Sequence, residues 1–142
     1  MAPYSYTRPL DRAKNEIRLL RILPGSSMTD DLQCKIDYAS LHEHPVFSAL
    51  SYTWNGKVND PALAHAPTVL HINSNSNNAS IEITANLNAA LRYLRPKYSP
   101  YLDEELYLWV DAVCINQEDN TEKAWQVAQM QRVYSQASRV IV

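Results

Sequence analysis

The chain has only two glycines in 142 residues, Gly25 and Gly56, and that scarcity closes two routes to nucleotide binding. Neither a GxGxxG dinucleotide turn nor a GxxxxGK[ST] phosphate loop can be built from them. A pocket assembled from other parts stays open. Cysteine is equally sparse: Cys34 and Cys114 are too few for a disulfide scaffold. Reduced thiols in a cytoplasmic protein are the simpler expectation. No run approaches the roughly 20 apolar residues that span a bilayer, and the first 20 residues lack the apolar core and cleavage site of a signal peptide. Basic charge is not in excess either. With a net charge of −2, no positive field argues for nucleic acid or an anionic membrane as partner.

What is present is an ordinary globular balance, with 46% apolar and 20% charged residues rather than a disordered composition. The length fits one domain with a real core. Residues 1–15 are polar and read as a loose lead-in. Glu16–Leu23 is an apolar run with interspersed arginines that stops at the turn signal Pro24-Gly25, which suggests a strand by its length and stop, while periodicity alone also allows a short helix. Cys34–Tyr38 alternates like a half-buried strand. Val46–Tyr52 predicts another, closed by the turn dipeptide Asn55-Gly56.

Residues 57–80 hold Pro61, Pro67 and the tract Asn73–Asn78, whose side chains favour turns. Thr68–Ile72 and Ser80–Ile83 can pair across that tract as a hairpin. A helix follows with clear punctuation: Thr84 as cap, Leu87, Ala90, Leu91 and Leu94 on one face, Pro96 as stop. Leu106–Val110 is continuous and apolar, as in a strand covered on both faces. After Asp111 and Cys114–Gln117, Asp119 and Glu122 have capping-box spacing at the head of a second helix. Val127, Met130, Tyr134 and Ala137 are its expected apolar stripe, widened by Ala124 and Ala128. Arg139–Val142 then predicts a further buried strand. The alternation of strands and helices implies parallel pairing and an α/β fold.

Four segments together resemble the signature of fungal heterokaryon-incompatibility (HET) domains. They are Ile17-Arg-Leu-Leu20 with Leu23-Pro-Gly25, Ala49-Leu-Ser-Tyr-Thr-Trp54, Thr84–Arg92 with Leu94-Arg95, and Leu108-Trp-Val-Asp-Ala-Val-Cys-Ile-Asn-Gln117. The match runs on through Gln126-Val127, Met130, Tyr134 and Ala137 to Val140–Val142. Where the family has Trp-Gly, this chain has Trp54-Asn55, and asparagine tolerates the left-handed turn conformation better than most residues. The resemblance implies one HET domain over 16–142. It also implies that the family's sequence continues past Val142, so that this chain carries the N-terminal and central part and is incomplete at its C-terminus.

HET domains are in turn distantly similar to Toll/interleukin-receptor-type (TIR) domains. That similarity implies a parallel-sheet core of TIR-like strand–helix alternation, with an added N-terminal β region and hairpin. The implied role is self/non-self recognition and programmed cell death, through an incompatibility partner protein or self-association. It also offers NAD+ as a substrate, cleaved with a glutamate that would lie beyond Val142. This is an analogy at the level of the fold, which does not fix chemistry.

Ligands of open parallel sheets bind beyond the carboxyl ends of the strands. Ser51, Tyr52 and Trp54 follow one strand, and Asp111, Cys114, Asn116 and Gln117 follow another, with Glu122 opening the next helix. If those strands are neighbours, these eight residues form one polar, aromatic-lined crevice. An aromatic there could stack on a base or nicotinamide, and Asp111 could accept ribose hydroxyls. Each residue also has a plainer reading. Asp111 can be a turn or cap residue, Asn116 and Gln117 can satisfy loop backbone, and Tyr52 and Trp54 can be core. Glu122 can be a cap and Cys114 a small buried thiol. His42 and His44 with Cys34 lack a fourth ligand at finger-like spacing, so no metal is expected.

Overall fold

A computed structural model of the chain describes residues 2–25, 30–51, 67–74, 77–95 and 106–141. It is a mixed α/β protein with parallel and antiparallel strand pairs and, among the described residues, three α-helices. By contacts the chain divides into two compact units. One comprises Met1–Ser5, Arg21–Lys35 and Tyr52–Leu106; the other comprises Tyr6–Leu20, Ile36–Ser51 and Tyr107–Val142.

In the first unit the expected hairpin forms. Strands β5 (Val69–Ser74) and β6 (Asn77–Glu82) pair antiparallel from Val69 opposite Glu82 to Ser74 opposite Asn77. The pairing therefore continues into the asparagine tract, where composition alone predicts turn. Strand β1 (Ala2–Pro3) pairs parallel with β6, so the expected loose lead-in begins in a ladder. The first residues of β3 (Leu32–Ser40) pair parallel with β5, Leu32 opposite Leu70 and Cys34 opposite Ile72. These four apolar residues are buried, the alternation expected of a strand with one covered face.

Helix α1 (Ala85–Leu94) starts where the sequence predicts, with Thr84 Oγ1 accepting the Leu87 N–H at 3.2 Å. Leu87 and Leu91 are buried as predicted. Thr84→Ala should lower the stability of this unit by about 1 kcal/mol, read as an earlier urea midpoint. An unchanged midpoint would mean that packing alone sets this helix start. Pro96, the expected stop, lies outside the described residues. At the far end of α1, the Arg95 side chain lies against Gly25. A Cβ on residue 25 would stand 2.7 Å from Arg95 Nε, so a larger residue there would have to displace the Arg95 side chain.

In the second unit, strand β4 (Ser48–Leu50) lies between β7 (Tyr107–Trp109) and β8 (Arg139–Ile141) and is parallel to both. Its core comes from strand β2 (Glu16–Ile22) through Ile17, Leu19 and Leu20, from Phe47, Ala49 and Leu50, and from Leu108, Trp109, Val110, Val113 and Val133. Such interdigitated apolar side chains supply most of the driving force for folding. Trp109 is fully buried, its ring edge-on to Tyr134 at a centroid distance of 5.8 Å.

Two sequence expectations are corrected here. Strand β8 is not buried: Arg139 and Val140 are exposed and Ile141 is half-buried. The buried face of helix α3 (Asn120–Gln136) also differs from the expected apolar stripe. Glu122, Gln126 and Val133 point inward, whereas Val127 is 51% exposed and Ala124 and Ala128 are exposed too. Glu122 is held on the inner face by its ion pair with Arg18, which helical periodicity cannot reveal, whereas the buried Gln126 amide has no hydrogen-bond partner among the described residues.

Candidate functional site

The condition placed on the crevice is met, because β4 and β7 are neighbours. Ser48 stands opposite Leu108 and Ala49 opposite Trp109. Ser51 directly follows β4 and Asp111 follows β7 after Val110, so each lies beyond the carboxyl end of one of two adjacent parallel strands. Ser51 is half-buried, and its N–H donates to the Ile141 carbonyl at 2.7 Å. Tyr52 and Trp54 lie outside the described residues.

Asp111 opens the four-residue helix α2 (Asp111–Cys114). It is half-buried, and burial pushes its carboxyl above the usual range, partly offset by its own and the Ala112 N–H. Tyr134 belongs to this position electrostatically. Desolvation and the Asp111 charge both raise its phenol, and the ring is fixed by Trp109. Sequence reading assigned Tyr134 only to a helix stripe. No short-range signal links it to Asp111, because helix α3 returns it to the end of β7.

Cys114 is not available for chemistry. Its side chain is fully enclosed, and burial pushes the thiol up to about 12, against the opposing pull of the Val110 N–H and the Arg18 charge. Its sulfur accepts the Val110 N–H and donates toward the Leu108 carbonyl. A thiol that stays protonated is a poor nucleophile.

Glu122 departs furthest from both sequence readings. It does not reach back to the Asp119 N–H, which bonds the Asn116 carbonyl instead. Only half of the capping box forms, with Asp119 Oδ1 accepting the Thr121 and Glu122 N–H groups. The Glu122 carboxylate turns inward to Arg18, a residue of β2. Arg18 Nη2 meets Oε1 at 2.8 Å and Nη1 meets Oε2 at 2.9 Å, while the Asn116 N–H donates to Oε2 at 2.6 Å. Arg18 is 0% exposed and Glu122 8%.

The remaining Arg18 donors reach the Cys114 carbonyl, the Arg8 carbonyl and the Tyr38 hydroxyl. Its guanidinium also lies over the Tyr6 and Tyr38 rings, at 4.8 and 5.5 Å. Desolvation works against its charge, but the hydrogen bonds to Glu122 and Tyr38 and the Glu122 carboxylate outweigh it, so protonation is reinforced. The pair is a bidentate fork of the kind that planar guanidinium favours.

Asn116 and Gln117 satisfy backbone, as their plainer readings had it. Asn116 Oδ1 accepts the Glu118 N–H, and Gln117 Nε2 donates to the Asp111 carbonyl at 2.8 Å. Of the eight candidates, Ser51 and Asp111 lie just past the ends of neighbouring strands. The structure assigns Glu122 and Cys114 to the interior of the unit. His42 and His44 are exposed, and among the described residues no group of three or more His, Cys, Asp or Glu side chains could hold a metal ion. No helix among the described residues is long and apolar enough to cross a membrane.

Comparison with known proteins agrees with this arrangement of motifs. The family model for heterokaryon incompatibility proteins (HET) matches residues 47–142. The chain is also 38% identical over 134 residues to heterokaryon incompatibility protein 6, OR allele, of Neurospora crassa, an alignment that takes in 94% of this chain and 19% of that protein. The chain thus spans about a fifth of the length of that curated relative. No solved structure matches it significantly. With two thirds of its length under the family model and the signature segments in order, the chain belongs to the heterokaryon incompatibility (HET) family.

Proposed function

We propose that this domain is a cytoplasmic self/non-self recognition and cell-death module, and that the strand-end position of Ser51 and Asp111 is where it engages a ligand, with NAD+ as the ligand to test. The observation that supports this reading is the parallel pairing of β4 with β7, since Ser51 and the half-buried Asp111 each follow the carboxyl end of one of these neighbouring strands. The other local acids are committed or exposed. Glu122 is ion-paired, Asp119 caps α3, and Glu118 faces solvent. A central β4 flanked by β7 and β8, with α3 between the latter two in sequence, supports the TIR-like reading of the core.

Purified protein should bind NAD+ in calorimetry, and Asp111→Asn should weaken that binding by roughly tenfold or more, the loss of a hydrogen bond to a charged acceptor. Because burial raises the Asp111 carboxyl, binding should fall on acidification at a higher pH than an ordinary aspartate would give. NAD+ consumption, followed in the same samples, tests cleavage. Absence of both binding and consumption would remove the ligand reading.

An assembly module, acting through its own kind or an incompatibility partner, is the second reading. It is favoured by exposed apolar side chains on α3 and β8, with Val140 44% exposed. Concentration-dependent self-association in light scattering, without any response to NAD+, would support it.

A further inference from the structure

The segment Tyr6–Arg12 crosses the second unit without burying a side chain: Tyr6 and Leu10 are half-buried and the other five residues are exposed. It nevertheless reaches the junction of α2 and α3 at several points. Tyr6 Oη donates to the Val113 carbonyl at 2.7 Å, and Arg12 Nη2 to the Thr121 carbonyl at 3.3 Å, with the Arg12 guanidinium over the Trp125 ring at 5.4 Å. The Arg8 carbonyl accepts from Arg18 and from Tyr38, and Arg8 itself pairs with Glu16 while lying over the Tyr38 ring.

From Lys14 onward the attachment changes character. The Lys14 carbonyl accepts from Ser40, the Asn15 carbonyl accepts the Leu41 N–H, and Asn15 is buried with a left-handed φ of 48°. A fixed core thus begins at the turn Arg12–Asn15, and a polar arm precedes it.

We propose that Tyr6–Arg12 is a releasable clasp that holds α2 and the first turn of α3, opening as a local unit while the rest of the fold stays intact. The arm is held by a small set of polar contacts, part-buried at Glu16 and Arg18, and it buries no apolar side chain that would bind it to the core, which is the physical condition for local opening. Opening removes the Arg8 carbonyl and the Tyr6 ring from Arg18 but leaves its two hydrogen bonds to Glu122, and those to Cys114 and Tyr38, in place. What it releases is the Val113 carbonyl of α2, the Thr121 carbonyl and the Trp125 face. Helix α2 begins with Asp111, so the clasp also controls how firmly that carboxyl is held. This last consequence rests on the ligand reading above, whereas the clasp itself does not.

Hydrogen exchange on the full chain tests the clasp without any ligand. In a Tyr6→Phe/Arg12→Ala variant, amides of Val113, Cys114, Ile115 and the first turn of α3 should exchange about fivefold faster, the effect of losing a surface hydrogen bond. Amides of β4, β7 and α1 should keep their wild-type rates, and the urea midpoint should not move. Unchanged exchange at the α2–α3 junction would overturn the proposal. Faster exchange throughout, with an earlier urea midpoint, would overturn it too, because the arm would then be an integral part of the cooperative fold.

Discussion

Arg18→Ala is expected to destabilise the unit that contains it by about 3–5 kcal/mol, the usual consequence of leaving one partner of a buried ion pair alone. The reason lies in what remains. Glu122 is 8% exposed, and without the guanidinium its carboxylate keeps only the Asn116 N–H as a described polar partner. The carbonyls of Cys114 and Arg8 and the Tyr38 hydroxyl lose a donor at the same time. Urea denaturation followed at the far-UV helix signal would report the loss.

Two further variants separate charge from geometry. Arg18→Lys keeps the charge but not the fork, so it should recover only part of the loss. A double Arg18→Met/Glu122→Leu change removes both charges together and should be far milder than either single change. A midpoint for Arg18→Ala within about 0.5 kcal/mol of wild type, the range of ordinary surface substitutions, would mean that water already reaches the pair. The pair also bears on domain boundaries. The family model covers 47–142, but the cation that neutralises its Glu122 comes from β2. A piece limited to the matched residues would bury an uncompensated carboxylate.

That pair also marks how far the sequence could be read. The helix starts were legible because their signals are local. Thr84 and Asp119 both cap as their spacing predicts, each accepting N–H groups two or three residues on. The strands were legible as apolar runs with turn signals, and the hairpin was legible in outline, although its ladder extends into the asparagine tract. Parallel neighbourship of β4 and β7 entered only as a condition, and the two strands are neighbours.

The inner face of α3 was not legible. Periodicity pointed to Val127, Met130, Tyr134 and Ala137, yet the fork with Arg18 draws Glu122 inward, and Gln126 and Val133 lie on that face with it. A long-range charge pair fixed the rotation of the helix, and residues so distant in sequence leave no periodic trace. The same holds for Tyr134 and Asp111, whose interaction exists only after α3 has folded back. The capping-box reading of Glu122 failed for a related cause. A buried guanidinium is a stronger partner for the carboxylate than a single backbone N–H.

The two thiols should be almost inert in the folded protein and should set its alkaline limit. Burial pushes both Cys34 and Cys114 from the ordinary 9.0 up to about 12, against the opposing charges of Arg95 and Arg18 respectively. At pH 8 a thiol so displaced carries about a thousandth of the thiolate of an exposed cysteine, since each tenfold change in the ratio corresponds to one pH step. Iodoacetamide should therefore modify the native protein about a thousandfold more slowly than the urea-unfolded chain. A native rate within tenfold of the unfolded one would show that the thiols are hydrated.

The stability consequence has a definite sign. Both thiols hold their protons in the folded state to higher pH than in the unfolded chain. Their contribution is complete below pH 9 and is lost as pH rises from about 9 through about 12. A Cys34→Ala/Cys114→Ala variant should be less stable at neutral pH through lost packing, yet show a shallower decline above pH 9. The chemical implication concerns α2. A thiol protonated throughout the physiological range is a poor attacking group, so Cys114 serves to pack the turn that follows β7.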